Sequence, residues 1–250
     1  SLQLQLTRRF TNGLSVLANY TWSKALFNGS DGALGSFLDS QDVFSRQLEK
    51  SPTSFSIPQF LKVSWIYELP FGKGKPVNVT GVLGHIVGGW TVTGIHNYRS
   101  GDPLSISTSG FRTAIFNGTF RPDLVPGVPM KLNSSASVQT NGSGDRYLNP
   151  AAFAQIPRTG NNIPLRLGTA APRYQELRGP YNLSESFGLR KGFAFTESSR
   201  LEFAAVFGNA FNRAGRGNPN TDITSPLFGK ITGFQQPFSR NVQLEMRVTF

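Results

Sequence analysis

Apolar and polar residues alternate one by one along seven separate stretches of this chain. That period predicts strands, because successive side chains of an extended strand point to opposite faces. The first stretch sets Leu2, Leu4 and Leu6 against Gln3, Gln5 and Thr7, and Asn12-Gly13 then supplies a tight turn that needs positive φ. The second sets Leu14, Val16, Ala18, Tyr20 and Trp22 against Ser15, Asn19, Thr21 and Ser23, with Leu17 out of phase. The third sets Leu61, Val63, Trp65, Tyr67 and Leu69 against Lys62, Ser64 and Glu68, with Ile66 as the exception. A fourth runs from Trp90 through Val92 to Tyr98. The fifth, Leu183 to Leu189, is the least regular, since Glu185 falls on its apolar side. The sixth places Leu201, Phe203, Ala205 and Phe207 opposite Arg200 and Glu202. The last alternates without a break: Val242, Leu244, Met246, Val248 and Phe250 on one face, Gln243, Glu245, Arg247 and Thr249 on the other. Between the strands, Asp39 to Lys50 predicts a short loop helix, capped by Asp39 or Ser40, with Val43, Phe44 and Leu48 on one side.

The connections alternate in length. Phe10–Gly13 and Gly192–Ser199 are short and Pro70–Gly89 is medium, whereas Ala25–Phe60, Ser100–Tyr181 and Asn212–Ser239 are long. Tight periplasmic turns and extended external loops give outer-membrane barrels this parity, and a tilted membrane strand needs about 9–11 residues. A soluble sandwich has no reason for it. The phase leaves Phe250 on the periplasmic side. Tyr20, Trp22, Tyr98 and Phe207 then fall near outer strand ends, and Trp65, Tyr67, Trp90 and Phe250 near inner ends. Two aromatic girdles suit the two membrane–water boundaries. The fold class expected is therefore all-β: an antiparallel transmembrane β-barrel, here a partial barrel of about seven strands with long external loops.

Composition sharpens this picture. With 27 Gly, 21 Phe and 16 Pro, the aliphatic share is thin and turns are many. No apolar run reaches the ~18 residues of a membrane-spanning helix. The nearest is Pro76 to Tyr98, which lacks Asp, Glu, Lys and Arg but carries five glycines. Neither an initiator Met nor a signal peptide stands at Ser1, which points to processing or truncation, so localisation has to be read from the body of the chain. Absence of cysteine excludes disulfides, thiol catalysis and Cys-metal sites. The formal charge of +11 is scattered, with only doublets such as Arg8-Arg9 and Arg190-Lys191. A nucleic-acid surface would concentrate it. Diffuse positive charge instead suits anionic lipid head groups or lipopolysaccharide phosphates, or simply soluble loops.

Catalytic signatures fail, and no enzyme activity, cofactor or metal is expected. His85 and His96 form no metal-ligand spacing. His96 and Asp102 can be drawn with a serine as a triad, but no Gly-x-Ser-x-Gly elbow supports it. Gly72-Lys73-Gly74-Lys75 lacks a phosphate-loop frame and reads as a polar turn. Asp31, Asp39, Asp42 and the stretch 141–145 carry oxygen ligands without an EF-hand pattern, so solvated turns are favoured over Ca²⁺ sites. Asn28-Gly29-Ser30, Asn78-Val79-Thr80, Asn117-Gly118-Thr119 and Asn141-Gly142-Ser143 match glycosylation acceptors, as an Asn/Ser/Thr-rich chain does by chance.

Several short motifs, in order over nearly the whole chain, carry a resemblance. They are Asn19-Tyr20-Thr21-Trp22-Ser23-Lys24, Tyr67-Glu68-Leu69-Pro70-Phe71-Gly72-Lys73-Gly74, Gly89-Trp90, Arg99-Ser100-Gly101-Asp102-Pro103 and Arg121-Pro122-Asp123. Tyr147-Leu148-Asn149-Pro150-Ala151-Ala152-Phe153, Arg178-Gly179-Pro180, Phe211-Asn212, Gly217-Asn218-Pro219-Asn220 and the terminal strand follow. Together they resemble the C-terminal barrel region of TonB-dependent outer-membrane receptors, in the group with an N-terminal carboxypeptidase-regulatory-like domain. Ser56-Ile57-Pro58-Gln59-Phe60 departs from that group, which tends to carry an Arg-His pair there.

The resemblance implies a Gram-negative host, an outer-membrane location and a parent of about 22 strands around a plug. Residues 1–250 would be its C-terminal portion, without the plug and the N-terminal strands. It implies uptake of an unidentified nutrient, small-molecule or oligomeric, with TonB engaged through the missing N-terminal region. Val242, Leu244, Met246, Val248 and Phe250 would face lipid and present the signal read by the outer-membrane assembly machinery, while Arg200, Glu202, Glu245 and Arg247 would face the lumen. The alternatives are a non-transporting adhesion or surface-anchoring barrel and a soluble β-rich carbohydrate-binding domain.

Overall fold

The structure is a computed structural model that describes residues 1–28, 40–42, 45–110, 120–139, 144–194, 196, 199–235 and 239–250. All seven expected strands form: β1 (Leu2–Thr11), β2 (Leu14–Trp22), β3 (Gln59–Glu68), β4 (Trp90–Arg99), β5 (Asn182–Ala194), β6 (Arg200–Gly208) and β7 (Asn241–Thr249). They pair in chain order, each antiparallel to the next, in one sheet. Asn12 (φ 52°) and Gly13 (φ 78°) make the first hairpin turn, where only such residues accept both positive angles cheaply. β1 and β7 do not pair with each other, so the sheet is open at both edges among the described residues.

Register fixes the two faces, because directly opposite residues share a side and a one-residue slip would exchange them all. One cross-strand row reads Leu14, Tyr67, Val92, Leu189, Ala205 and Leu244. A row on the other face reads Glu68, Thr91, Arg190, Ala204 and Glu245. The period-two reading of the strands is thus carried coherently across the whole sheet. Trp65 lies directly opposite Gly94, and a Cβ at Gly94 would overlap its indole, so the glycine is what lets the ring lie flat across β4. Two points of the sequence reading change. The fifth strand, the least regular on paper, is the longest of the sheet at 13 residues. Within Asp39–Lys50, the described helix is a single 3-10 turn, Arg46–Glu49; Asp39, Val43 and Phe44 lie outside the described residues.

The packed core lies in the long connections rather than behind the sheet. Leu104, Ile106, Leu148 and Leu177 from the β4–β5 connection meet Phe228 and Ile231 from the β6–β7 connection, all nearly fully buried. These segments carry little regular structure and are tied by backbone bonds across long sequence distances, such as Leu104 N–H to the Leu177 carbonyl (2.9 Å) and Tyr147 N–H to the Gly229 carbonyl (2.7 Å). The apolar sheet face has no comparable partner: Leu61, Val63 and Phe203 are half-buried, and Leu244 is 67% exposed. A soluble domain built on this sheet would have buried them together.

Candidate functional site

The charged residues singled out in the last two strands share the polar face of the sheet. Glu202 stands opposite Arg247, and Ala204 stands opposite Glu245. Sequence reasoning missed the residue that links them. Arg190 of β5 bonds Glu202 (Nε to Oε1, 3.0 Å), and with Glu202, Ala204, Glu245 and Arg247 it lines a hollow of about 80 Å³. Strict alternation within Arg190-Lys191 was the available signal, since it puts the two cations on opposite faces. Arg200 joins a second hollow, of about 300 Å³, with Glu68, Lys75, Arg190 and Glu202. Lys75 pairs with Glu68 at 2.6 Å, which makes Gly72–Lys75 the polar turn expected. Alternating signs on neighbouring strands stabilise register, although such exposed pairs are each worth only about 0–1 kcal/mol.

The opposite face carries Val242, Leu244, Met246 and Val248 beside Phe207, Ala205, Phe203 and Leu201, and Phe250 extends beyond β7 almost fully exposed. Besides Arg8, which stands opposite Val16 on the exposed edge strand β1, two charges interrupt this face, and each has a local answer. Glu185 is 0% exposed; Arg213 stands over it (Nε to Oε1, 3.2 Å) and the Tyr98 hydroxyl lies alongside. Neither carboxylate oxygen meets full hydrogen-bond geometry, so the pairing with Arg213 is mainly electrostatic. Asn209 fixes Arg213 there by accepting from its N–H (2.9 Å) and donating to its carbonyl (3.0 Å). Next to Glu185, Trp65 Nε1–H donates to His96 Nε2 (3.0 Å), which puts the imidazole proton on Nδ1, 3.2 Å from the Tyr98 oxygen. Lys191, the second charge, reaches the turn below the sheet.

At the long-loop end, the resemblance motifs turn out to be fasteners. Arg121 forms a two-pronged ion pair with Glu49 (2.8 and 3.0 Å) and donates through Nε to the Ala170 carbonyl (2.8 Å). Arg178 donates to the Ser56 and Gly101 carbonyls (2.6 and 3.2 Å), and its own carbonyl accepts from the Tyr147 hydroxyl (2.7 Å). Asn149 caps the 3-10 turn Pro150–Ala152 by accepting from Ala151 N–H (3.1 Å). A hollow of about 330 Å³ opens between this layer and the outer strand ends, lined by Lys131, Tyr147, Glu176, Arg178, Tyr181 and Arg216 among others. Burial, with Arg178 nearby, pushes the Lys131 ammonium below its ordinary pKa. The polar lining of the hollow is mixed. Tyr147, Arg178 and Arg216 each donate hydrogen bonds to backbone carbonyls of the loops, whereas the exposed Tyr181 stands with Lys131 and the Glu176 carboxylate at the hollow.

Asp123, next in the Arg121-Pro122-Asp123 motif, accepts from both Arg166 guanidinium nitrogens (2.7 and 2.6 Å) and from Thr169 N–H (3.2 Å). The Arg166 bonds hold its carboxyl below the usual carboxylate range against a smaller opposing effect of burial. A depressed folded pKa stabilises the loops at any pH above the unfolded value near ~3.9, and that stabilisation is lost as pH falls from there through the folded value. Protection of the Leu124 and Thr169 amides, measured as their exchange rate relative to the intrinsic rate at each pH, is therefore expected to fall below about pH 4. D123N should exchange fast at neutral pH and lose that pH dependence; an unchanged acid profile would remove Asp123 as its source.

The drawn triad does not assemble, since Asp102 pairs with Arg99 (3.0 Å) while His96 bonds Trp65 and Tyr98. Among the described residues, no group of three or more His, Asp or Glu is placed to hold a metal ion, and no helix is long and apolar enough to cross a membrane. Asp31, Asp39 and residues 141–143 lie outside the described residues.

An antiparallel meander with one apolar and one charged face, short to medium connections at one end and a folded loop layer at the other has the build of the wall of a membrane β-barrel. The chain belongs to the outer membrane beta barrel domain family, whose model matches residues 1–243. Its location is the bacterial outer membrane. Comparison with curated proteins and with solved structures gave no match.

Proposed function

We propose that this chain forms part of a TonB-dependent receptor that takes up a nutrient across the outer membrane. The observation that carries the reading is the loop layer. Two of the long connections share one buried core, and the β2–β3 connection is tied to them through Glu49 and Ser56. The layer encloses a polar hollow at the end of the sheet opposite its shorter turns. A preformed concave surface of this kind suits capture of a scarce ligand, whereas a solvated fringe would not. The motif resemblance supplies the energy-coupled part of the reading, and no catalytic step is included in it. In this reading Val242, Leu244, Met246, Val248 and Phe250 meet hydrocarbon and present the assembly signal, and Arg200, Glu202, Glu245 and Arg247 line the lumen. Unpaired backbone groups at the β1 and β7 edges would each cost several kcal/mol in lipid. We infer that further strands of the same barrel pair there.

Uptake by the host tests the proposal, with a panel of labelled iron chelates, cobalamin and oligosaccharides. Deleting the gene and inactivating TonB should each abolish accumulation of the same compound. If gene deletion leaves every uptake intact and removes surface attachment, the chain belongs to an adhesion barrel.

A further inference from the structure

The β3–β4 connection is built in two halves of opposite character. Its first half is charged, with Lys73, Lys75 and the Lys75–Glu68 pair. From Pro76 to Gly89 it contains no Asp, Glu, Lys or Arg, and there it winds into helix α1 (Gly81–Val87). Val82, Leu83 and Ile86 stand 76%, 66% and 58% exposed. The helix is held by its backbone: Gly84 closes on the Val79 carbonyl and Gly88 presses against Gly72, in space a Cβ would fill. Its aliphatic side chains are left pointing outward.

Lys191 fixes where the helix sits. It lies on the apolar face of the sheet, opposite Trp90 and Phe203, yet is nearly fully buried. Its ammonium donates to the His85 and Ile86 carbonyls, both at 2.5 Å, and Trp90 Nε1–H also donates to Ile86 (2.9 Å). The last carbonyls of a helix have no partners within it, and the negative end of the helix dipole attracts a cation. The Trp90 and Phe193 rings flank the same ammonium at 5.0 and 4.8 Å. The charge that seemed out of place on the apolar face is thus the clamp that docks α1 against that face, at its tight-turn end.

We propose that α1 is a lipid anchor, lying in the headgroup–acyl boundary of the phospholipid leaflet at the tight-turn end, with Val82, Leu83 and Ile86 inserted. The occupant follows from continuity: Lys191 and Trp90 hold the end of α1 at the inner edge of the sheet's apolar face, and the three side chains stand exposed beside it. A segment without Asp, Glu, Lys or Arg enters that boundary at far lower cost than the charged half of the same connection. The inference rests on the reading that this face meets lipid.

Site-directed nitroxides, placed in the protein within its own outer membrane and with any other cysteine replaced, separate the two claims. Labels at L83C and L244C are expected to collide several-fold more with oxygen, which concentrates in lipid, than with a water-soluble nickel chelate. K73C, on the charged half of the same connection, should show the reverse. Adding Lys191→Met should release the helix and return L83C toward the K73C value without changing L244C. If L83C matches K73C while L244C stays in lipid, the anchor is refuted and the lipid face stands. If L244C is also water-exposed, the lipid-face reading itself fails.

Discussion

Replacing Glu49 by alanine is expected to unfasten the external loop layer while leaving the seven-stranded sheet paired. Glu49 and Arg121 are 1% and 4% exposed, and their two-pronged pair joins segments far apart in sequence. Gln41 completes the joint, accepting from Arg121 N–H (2.8 Å) and donating to the Gly168 carbonyl (2.8 Å), while its own N–H donates to Glu49 (3.1 Å). Removing one partner strands a buried guanidinium, a loss of about 3–5 kcal/mol. Removing both need not, because a well-packed apolar pair is often neutral in such a place. Glu49→Ala should therefore accelerate proteolysis and amide exchange over 45–52, 120–124 and 168–171, and Glu49→Leu with Arg121→Met should recover much of the protection. Equal protection in wild type and the single variant would show that the pair is not what holds the layer. The same chemistry in the exposed Arg190–Glu202 pair carries far less, because water already solvates both charges.

The strands were legible because a half-buried strand imposes period two on its own sequence, and register across the sheet preserves the pattern. Leu17 and Ile66, the exceptions of the second and third strands, fall on the polar face, where alternation would place them. The loop layer left no such trace. Ile106, Leu148, Leu177 and Ile231 are buried from irregular backbone, where no period links neighbours in sequence to neighbours in space. Its fasteners were visible only as motif fragments: Arg121-Pro122-Asp123 and Arg178-Gly179-Pro180 stood out by resemblance, but their partners Glu49, Arg166 and Ser56 lie 43 to 122 residues away. Local chemistry cannot name partners at that distance. Glu185 spoiled the fifth strand for a related reason, since the Arg213 that answers it arrives from the next long connection.

Arginine at Leu244 and arginine at Gln243 should give opposite outcomes, although the two positions are neighbours in one strand. Leu244 stands opposite Ala205 at the middle of β7 on the apolar face, and Gln243 stands opposite Val206 on the face that holds the charged hollow. In a barrel wall, an arginine at mid-depth on the lipid side destabilises by about 2–4 kcal/mol, whereas lumen positions tolerate charge. β7 also carries the proposed assembly signal, so Leu244→Arg is expected to lower the amount reaching the outer membrane as well as its resistance to denaturant after extraction. Gln243→Arg should leave both near wild type. A soluble strand exposed on both faces predicts no difference, since a surface substitution there stays within about ±0.5 kcal/mol. The contrast between adjacent residues therefore isolates the lipid contact from any general sensitivity of the last strand. Equal behaviour of the two variants would mean that the alternation in β7 answers to something other than hydrocarbon.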